Sequence, residues 1–437
     1  MKRVLSAALS SVLLAGALAG CSGNGGTPEL ASKKVDGKID GEITVWGWNV
    51  AAQSMELAVK DFKKKHPDVK VKVEDIGRLD VYDKLTVGLA ANGSGLADVI
   101  LVEDDRLDNY KNNFPKGLAD LSSLGFDKHE KKFSQSKIDV AKDKDGKFVA
   151  FPWDSGPTGV FYRVDLFEKA GVDADSIKTW DDYIEAGKKI KEKTGVQMLP
   201  VDVAKDDALF RMMLNQQDAY YFNKKGEISF ASKESKRALK VIQDMKKEDL
   251  VVNADGWNGT VAATVNSKVA TVPFGVWYSG TIIDQAPDLK GKWDVFQLPS
   301  FEEDGNRAAN LGGSNLVIPA GSDNIDAAYA FAEFFTTDEK SQMTALKEKG
   351  IFPSLLSTYE DPYFDERNEY FNNKPVFRMF ADEMQDVPSP NYTEDYARAL
   401  KYAADAQGKA LLSNDKVAEV LKEAAESLKN ETNRDIE

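Results

Sequence analysis

From Gly41 onward, hydrophobic positions recur with two alternating periods. Ile43 to Trp48 (ITVWGW) is β-branched and aromatic, the character of a strand. Met55, Ala58, Val59 and Phe62 follow at i, i+3, i+4 and i+7, which predicts an amphipathic helix. His66-Pro67 stops it, because proline disfavours the helical conformation of the residue before it. Val69, Val71 and Val73 alternate as a second strand, and Tyr82, Leu85 and Leu89 mark a helix ending near Asn92-Gly93. Ala97 to Val102 (ADVILV) is nearly continuous apolar sequence, as a strand covered on both faces requires. Strand, helix, strand, helix, strand predicts a parallel sheet in an α/β lobe, since parallel neighbours need a crossover.

Further along, Thr179-Trp180-Asp181-Asp182 has capping-box spacing ahead of a helix that ends at Gly195. Ala328, Phe331, Ala332 and Phe335 define one helix face, and Val417, Leu421, Ala424 and Leu428 another. Lys142 to Lys147 (KDKDGK) resembles a calcium loop only superficially. An EF-hand frame would place Ala141 first and Pro152 twelfth, neither a usable side-chain ligand, so Asp145-Gly146 is read as a hairpin turn.

The N-terminus has a different logic. Lys2 and Arg3 precede an apolar run, Val4 to Ala19, that is short and rich in Ser and Gly, so residues 1–20 read as an export signal. Leu18-Ala19-Gly20-Cys21 resembles the bacterial lipobox, which implies a diacylglyceryl group on Cys21 and cleavage ahead of it. Cys21 is the only cysteine, so an internal disulfide is impossible. Two acyl chains on one residue suffice for stable anchoring. Residues 21–40 read as a polar, flexible tether.

Without the first 20 of its 437 residues the chain keeps 417, enough for two domains. The net charge of −14 becomes −16 without Lys2 and Arg3. Such a surface repels phosphate backbones, which argues against nucleic acid and is compatible with a neutral ligand. The two histidines, His66 and His129, read as solvated, and no Walker loop, HExxH or GxSxG occurs. Nucleophilic, zinc and phosphoryl-transfer chemistry therefore lack parts, and neither a metal nor a cofactor is expected. With 71 acidic residues, paired carboxylates arise by chance, so a glycosidase is the enzyme alternative without geometric support.

The ordered set ITVWGWN, HPDVKVKVE, YDKLTVGLAANGSGLADVILVE, DGKFVAFPWDSGPTGVFYRVDLFEKAGV, IKTWDDYIEAGKKI, VNSKVATVPFGVWYSG, LGGSNLVIPAGSDNIDAAYAFAEFF and GIFPS runs from about Gly41 to Leu428. It closely resembles the family 1 extracellular solute-binding proteins, the branch that includes maltose- and arabino-oligosaccharide-binding proteins. The resemblance implies a two-lobe α/β fold of the type II periplasmic-binding-protein class, closing by a hinge on ligand in the interlobe cleft. Residues 41–152 and 310–370 would form lobe 1, and 153–309 with 371–437 lobe 2. It further implies a monomer that captures an oligosaccharide for the permease subunits of an ABC importer and has no catalytic role.

A neutral sugar needs flat aromatic platforms for its C–H faces and carboxylates or amides for its hydroxyls. In open α/β sheets such groups sit at the carboxyl ends of strands. Trp48 and Asn49 fall at one such end and Glu103, followed by Asp104, at another, whereas Trp46 is deeper and expected in the core. Trp257 and Tyr392 are candidates from loop position. From the resemblance, Trp153 and Asp154 lie where the family crosses between lobes, and Trp277, beside Tyr278, matches its stacking aromatic. Gly313 and Ser314, after Gly312, match the segment where family backbone approaches ligand. Trp180 and Trp293 are expected to be structural. A polyamine, peptide or anion receptor of the same fold is the alternative. An anion site would converge Arg or Lys on the strand ends, where this sequence places Trp, Asn, Glu and Asp.

Overall fold

A computed structural model describes residues 39–437. The expected export signal, Cys21 and all but the end of the expected tether lie outside the described residues. Ten strands are formed there: β1 (Gly41–Gly47), β2 (Val69–Asp75), β3 (Val99–Glu103), β4 (Phe151–Asp154), β5 (Thr158–Arg163), β6 (Leu199–Val201), β7 (Val251–Asn253), β8 (Thr271–Gly275), β9 (Trp293–Gln297) and β10 (Ser314–Val317).

The expected strand–helix alternation builds one sheet, in the order β2-β1-β3-β10-β4. β1 runs parallel to β2 and β3, while β10 returns from far along the chain to pair antiparallel with both β3 and β4. The helix Asn49–Lys65 turns Met55, Ala58 and Phe62 onto this sheet, and Phe62 meets Phe331 edge-on at 5.2 Å. A second, antiparallel sheet has the order β8-β5-β9, and β6 pairs parallel with β7 beside it. Thr179 and Asp182 form the capping box, and Gly195 closes that helix in the left-handed conformation. Trp46, Trp180 and Trp293 are all in the core.

Three apolar cores follow. The first gathers Ile43 through Trp153 with Leu316 through Phe335, the second Val160 through Leu311 with the C-terminal helices, and the third Phe161, Tyr278 and Trp293 with Phe364 and Phe380. Within 310–370, Ala345, Ile351 and Leu355 pack in the first core, while Met343, Leu346, Phe364 and Tyr370 pack with Phe161 and Trp293. The chain recrosses near Phe352, whose carbonyl accepts the Ser155 N–H at 3.0 Å.

The crossings lie side by side. Between β4 and β5, Gly156 accepts the Leu311 N–H at 2.8 Å and donates its own N–H to Asn310 Oδ1 at 2.9 Å. A Cβ at position 156 would collide with the Leu311 carbonyl, so this contact requires glycine.

One expectation about the histidines fails. His129 is buried, with Nε2 2.9 Å from Glu333 Oε1 and its ring against Phe126. The Lys/Glu-rich segment Phe126–Lys132 is a 3₁₀ helix, whose three-residue repeat turns Phe126 and His129 to the same side. His66 is half-buried and stacks on Phe62.

Candidate functional site

A cavity of about 260 Å³ opens where the crossings meet the carboxyl ends of β3 and β8. One wall is aromatic. After β8, Val276 turns into the core and its N–H donates to the Pro157 carbonyl at 2.8 Å, which leaves Trp277 half-buried at the cavity. The Trp277 Nε1–H donates to the Leu311 carbonyl at 2.9 Å. Its ring lies 5.6 Å from that of Trp257 at an interplanar angle of 33°, and 5.0 Å from Phe274 almost at right angles. Trp257, on the helix Gly256–Val265, is 44% exposed although it is an indole, so a flat apolar face stays open to solvent at the cavity.

The facing wall is charged. Glu103 ends β3, and its Oε2 accepts from Arg78 Nε and from the Tyr82 hydroxyl, each at 2.7 Å. Burial and the Glu103 charge push the Tyr82 phenol upward, so it stays a donor. Asp104 is buried next to it. Its Oδ1 accepts from Lys137 Nζ at 2.6 Å and Asn315 Nδ2 at 2.7 Å, and its N–H donates to the Gly313 carbonyl at 2.9 Å. Burial raises the Asp104 carboxyl above its ordinary range, against the lowering effect of Lys137. Gly313 has φ +99°, and a Cβ there would lie 2.5 Å from Asp104 Oδ2, so glycine is required twice over.

A third cation, Arg211 on the helix Ala208–Gln216, pairs with Asp206 and Asp207, each at 3.0 Å. Burial pushes the Asp207 carboxyl up to about 7 against the pull of Arg211. One turn on, Asn215 Oδ1 accepts the Asn310 N–H at 2.6 Å, tying this helix to a crossing segment.

Of the expected residues, Trp277, Trp257, Glu103, Gly313 and Tyr392 are brought together at this cavity. The others are elsewhere. Trp153 is in the first core against Phe335, because β4 alternates and places Phe151 and Trp153 on the covered face. Asp154 therefore points the other way, but into the crossing, where Ser314 bonds its carboxylate; burial lifts that carboxyl to about 6. Ser314 is spent on that contact. Tyr278 is fully buried, its hydroxyl 2.7 Å from that of Thr264. Trp48 packs edge-on against Tyr82 behind the Glu103 wall, and Asn49 is an exposed residue at φ 49° whose N–H bonds Asp75.

Arg78, Lys137 and Arg211 are the cations among the cavity residues that the sequence reading missed, with Asp202, Asn215 and Tyr396 beside them. Cations do converge on the site, contrary to the expectation, yet each has a carboxylate partner. Arg211 and Asn215 carried a signal, polar residues at i, i+4 in a helix that is otherwise apolar up to its last residue, Gln216. Lys137 carried none. Such a site offers stacking faces on one side and fixed donors and acceptors on the other, with each cation held by a carboxylate. Chemically it suits an uncharged molecule with many hydroxyls. Among the described residues, no group of three or more His, Cys, Asp or Glu side chains is arranged to hold a metal ion.

Residues 47–342 match the sequence profile of the bacterial extracellular solute-binding proteins. The chain is 33% identical over 391 residues to the lactose-binding protein of Rhizobium radiobacter, covering 87% of this chain and 91% of that one. It is 32% identical over 403 residues to the arabinooligosaccharide-binding protein of Bacillus subtilis, covering 89% of each. Among solved structures, it is similar to the ABC-transporter-associated binding protein from B. animalis subsp. lactis Bl-04 in complex with beta-1,6-galactobiose. That likeness has a TM-score of 0.74 at 27% identity, over 90% of this chain and 97% of that one.

Proposed function

Because the chain belongs to the family of bacterial extracellular solute-binding proteins, we propose that it is the substrate-binding component of an ABC importer and that its ligand is a neutral carbohydrate of oligosaccharide size. The observation that carries this reading is the pairing of an open indole wall, Trp257 with Trp277, against cations that are each held by a carboxylate in place. An indole covers the C–H face of a sugar ring at low entropic cost, and fixed carboxylates and amides take its hydroxyls. An anion receptor would leave a cation unpaired at the site, whereas Arg78, Lys137 and Arg211 are each paired with a carboxylate. The relatives named for lactose and arabinooligosaccharide support the sugar reading.

Capture is by closure of the two lobes about the crossings at Gly156 and Leu311. The protein works as a monomer on the outer face of the cell membrane, held there by lipid on Cys21, and hands its cargo to permease subunits. The site residues in this reading are Trp277, Trp257, Glu103, Gly313 and Tyr392, with Arg78, Asp104 and Arg211. No hydrolytic role is assigned, since Glu103, Asp104, Asp206 and Asp207 are committed to ion pairs.

Thermal unfolding against a panel tests it: lactose, galactobiose and arabino-oligosaccharides beside spermidine, phosphate and a tripeptide. A true ligand stabilises by RT ln(1 + [L]/Kd), about 2.7 kcal/mol at a hundredfold excess over Kd. The sugars should shift Tm and be recovered intact. A shift by spermidine or phosphate alone, or sugar recovered as hydrolysis products, would overturn the reading.

A further inference from the structure

Two side chains of the cavity, Ser136 and Met384, also line a second groove of about 650 Å³. The groove straddles the same junction as the cavity. Phe133 and Leu355 on one side belong to the first core and are bridged to each other; Met384 and Val387 on the other belong to the third. Ser136 and Met384, both buried, are thus the residues common to the two spaces. Ser136 has only a hydroxyl to move, and Met384 is an unbranched thioether with several rotamers, among the side chains that give way most readily.

The groove repeats the chemistry of the cavity. Tyr359 is half-buried on its wall, and its hydroxyl is already committed to the Pro353 carbonyl at 2.8 Å, so the ring is held as a fixed surface. Arg378, the one cation on the groove, is gripped by Asp365 through Nε at 2.8 Å and Nη2 at 2.9 Å. Gln385 is exposed and makes no side-chain hydrogen bond among the described residues, so its amide offers a donor and an acceptor. Gln135 gives its Nε2 to Asp139 at 2.6 Å and keeps its carbonyl oxygen for a hydroxyl. An aromatic surface, a free amide and a neutralised guanidinium are what further neutral sugar units require.

We propose that this groove is an extension subsite, taking the sugar units of an oligosaccharide that continue past Ser136 and Met384 from the units held in the cavity. The assignment rests on the carbohydrate reading above. It makes the protein a receptor for chains longer than a disaccharide rather than for a disaccharide alone.

The test is calorimetric titration of the purified protein with arabino- and galacto-oligosaccharides, from disaccharide to hexasaccharide. Two variants are compared with it: Gln385→Ala, which removes the free amide, and Gln385→Trp, which fills the groove. Position 385 is exposed and outside the cavity, so both should fold. In the bound series, affinity should rise with chain length in the parent. Both variants should leave the disaccharide unchanged and lose about tenfold for the longest chains, some 1.4 kcal/mol. A disaccharide that binds with no gain from added units, or variants that weaken short and long chains equally, overturns the extension subsite and leaves the carbohydrate reading standing. If no member of either series binds, both fall.

Discussion

The Trp277 indole donates to the Leu311 carbonyl at 2.9 Å, which fastens the aromatic wall of the cavity to one of the crossing segments. The ring is thereby held at a fixed angle before any ligand arrives, and ordering it on binding costs little. Central aromatics of this kind carry about 2 kcal/mol or more of binding. Trp277→Ala should weaken sugar affinity roughly thirtyfold or beyond. Trp180→Ala is the control. Its ring is fully buried against Tyr183, with Nε1 3.1 Å from Gln216 Oε1. Its loss should cost about 3–5 kcal/mol of stability and leave affinity nearly unchanged while the protein is folded. Calorimetry at a temperature where both variants are folded separates the two roles. Unchanged affinity in a folded Trp277→Ala protein would remove the stacking role.

The lipid anchor is tested by Cys21→Ala. Cys21 is the sole thiol in the chain, so no other side chain can take the thioether-linked diacylglyceryl group. The variant should leave the membrane fraction for the medium or periplasm, with Tm unchanged. If it still pellets with membranes, residues 1–20 are acting as an uncleaved anchor and the lipoprotein reading is wrong.

Local patterns foretold local structure well here. The i, i+3, i+4 spacing of Met55, Ala58 and Phe62 placed the first helix, and Thr179 with Asp182 placed a capping box, because both depend on residues within a turn or two. Glu103 was legible for a related reason, since it ends a strand whose apolar run is plain, whereas Trp277, two residues past β8, came from the family resemblance. Trp153 misled because adjacency of an indole and a carboxylate says nothing about which face of a strand each occupies. The alternation of Phe151 with Trp153 was the better guide. Lys137 was invisible. It lies in a short helix, Gln135–Ala141, with ordinary polar neighbours, and only the return of β10 brings the Ser314 carbonyl onto it and Asn315 onto its partner Asp104. Partners joined by that long-range pairing leave no periodic trace.

The cluster around Lys137 has a calculable pH signature. Its ammonium lies 2.6 Å from Asp104 Oδ1 and 3.1 Å from the Ser314 carbonyl, with both charged side chains buried, and Asp154 shares its field. Burial first, and then the Asp104 charge, hold the Asp154 carboxyl up at about 6, with Lys137 opposing. Asp207, up at about 7 through burial, behaves alike. A carboxyl raised in the folded state binds more protons there than in the unfolded chain between the two pKa values, so stability falls as pH rises through that window. Glu333 goes the other way, held down at about 2 by His129 and Lys128 against burial, and its contribution is lost only well below pH 5. The protein should therefore be more stable at pH 5 than at pH 7, by about 1–2 kcal/mol or a few degrees in Tm. Lys137→Met leaves Asp104 buried without its cation, which should cost about 3–5 kcal/mol at neutral pH. The loss should shrink at pH 5, where the carboxyls protonate, and adding Asp104→Asn should recover most of it, since an amide needs no counter-charge. Scanning calorimetry of the parent, the single and the double variant at both pH values decides the matter. A Lys137→Met deficit that is equal at pH 5 and pH 7, and untouched by Asp104→Asn, would mean that Lys137 contributes packing and not charge.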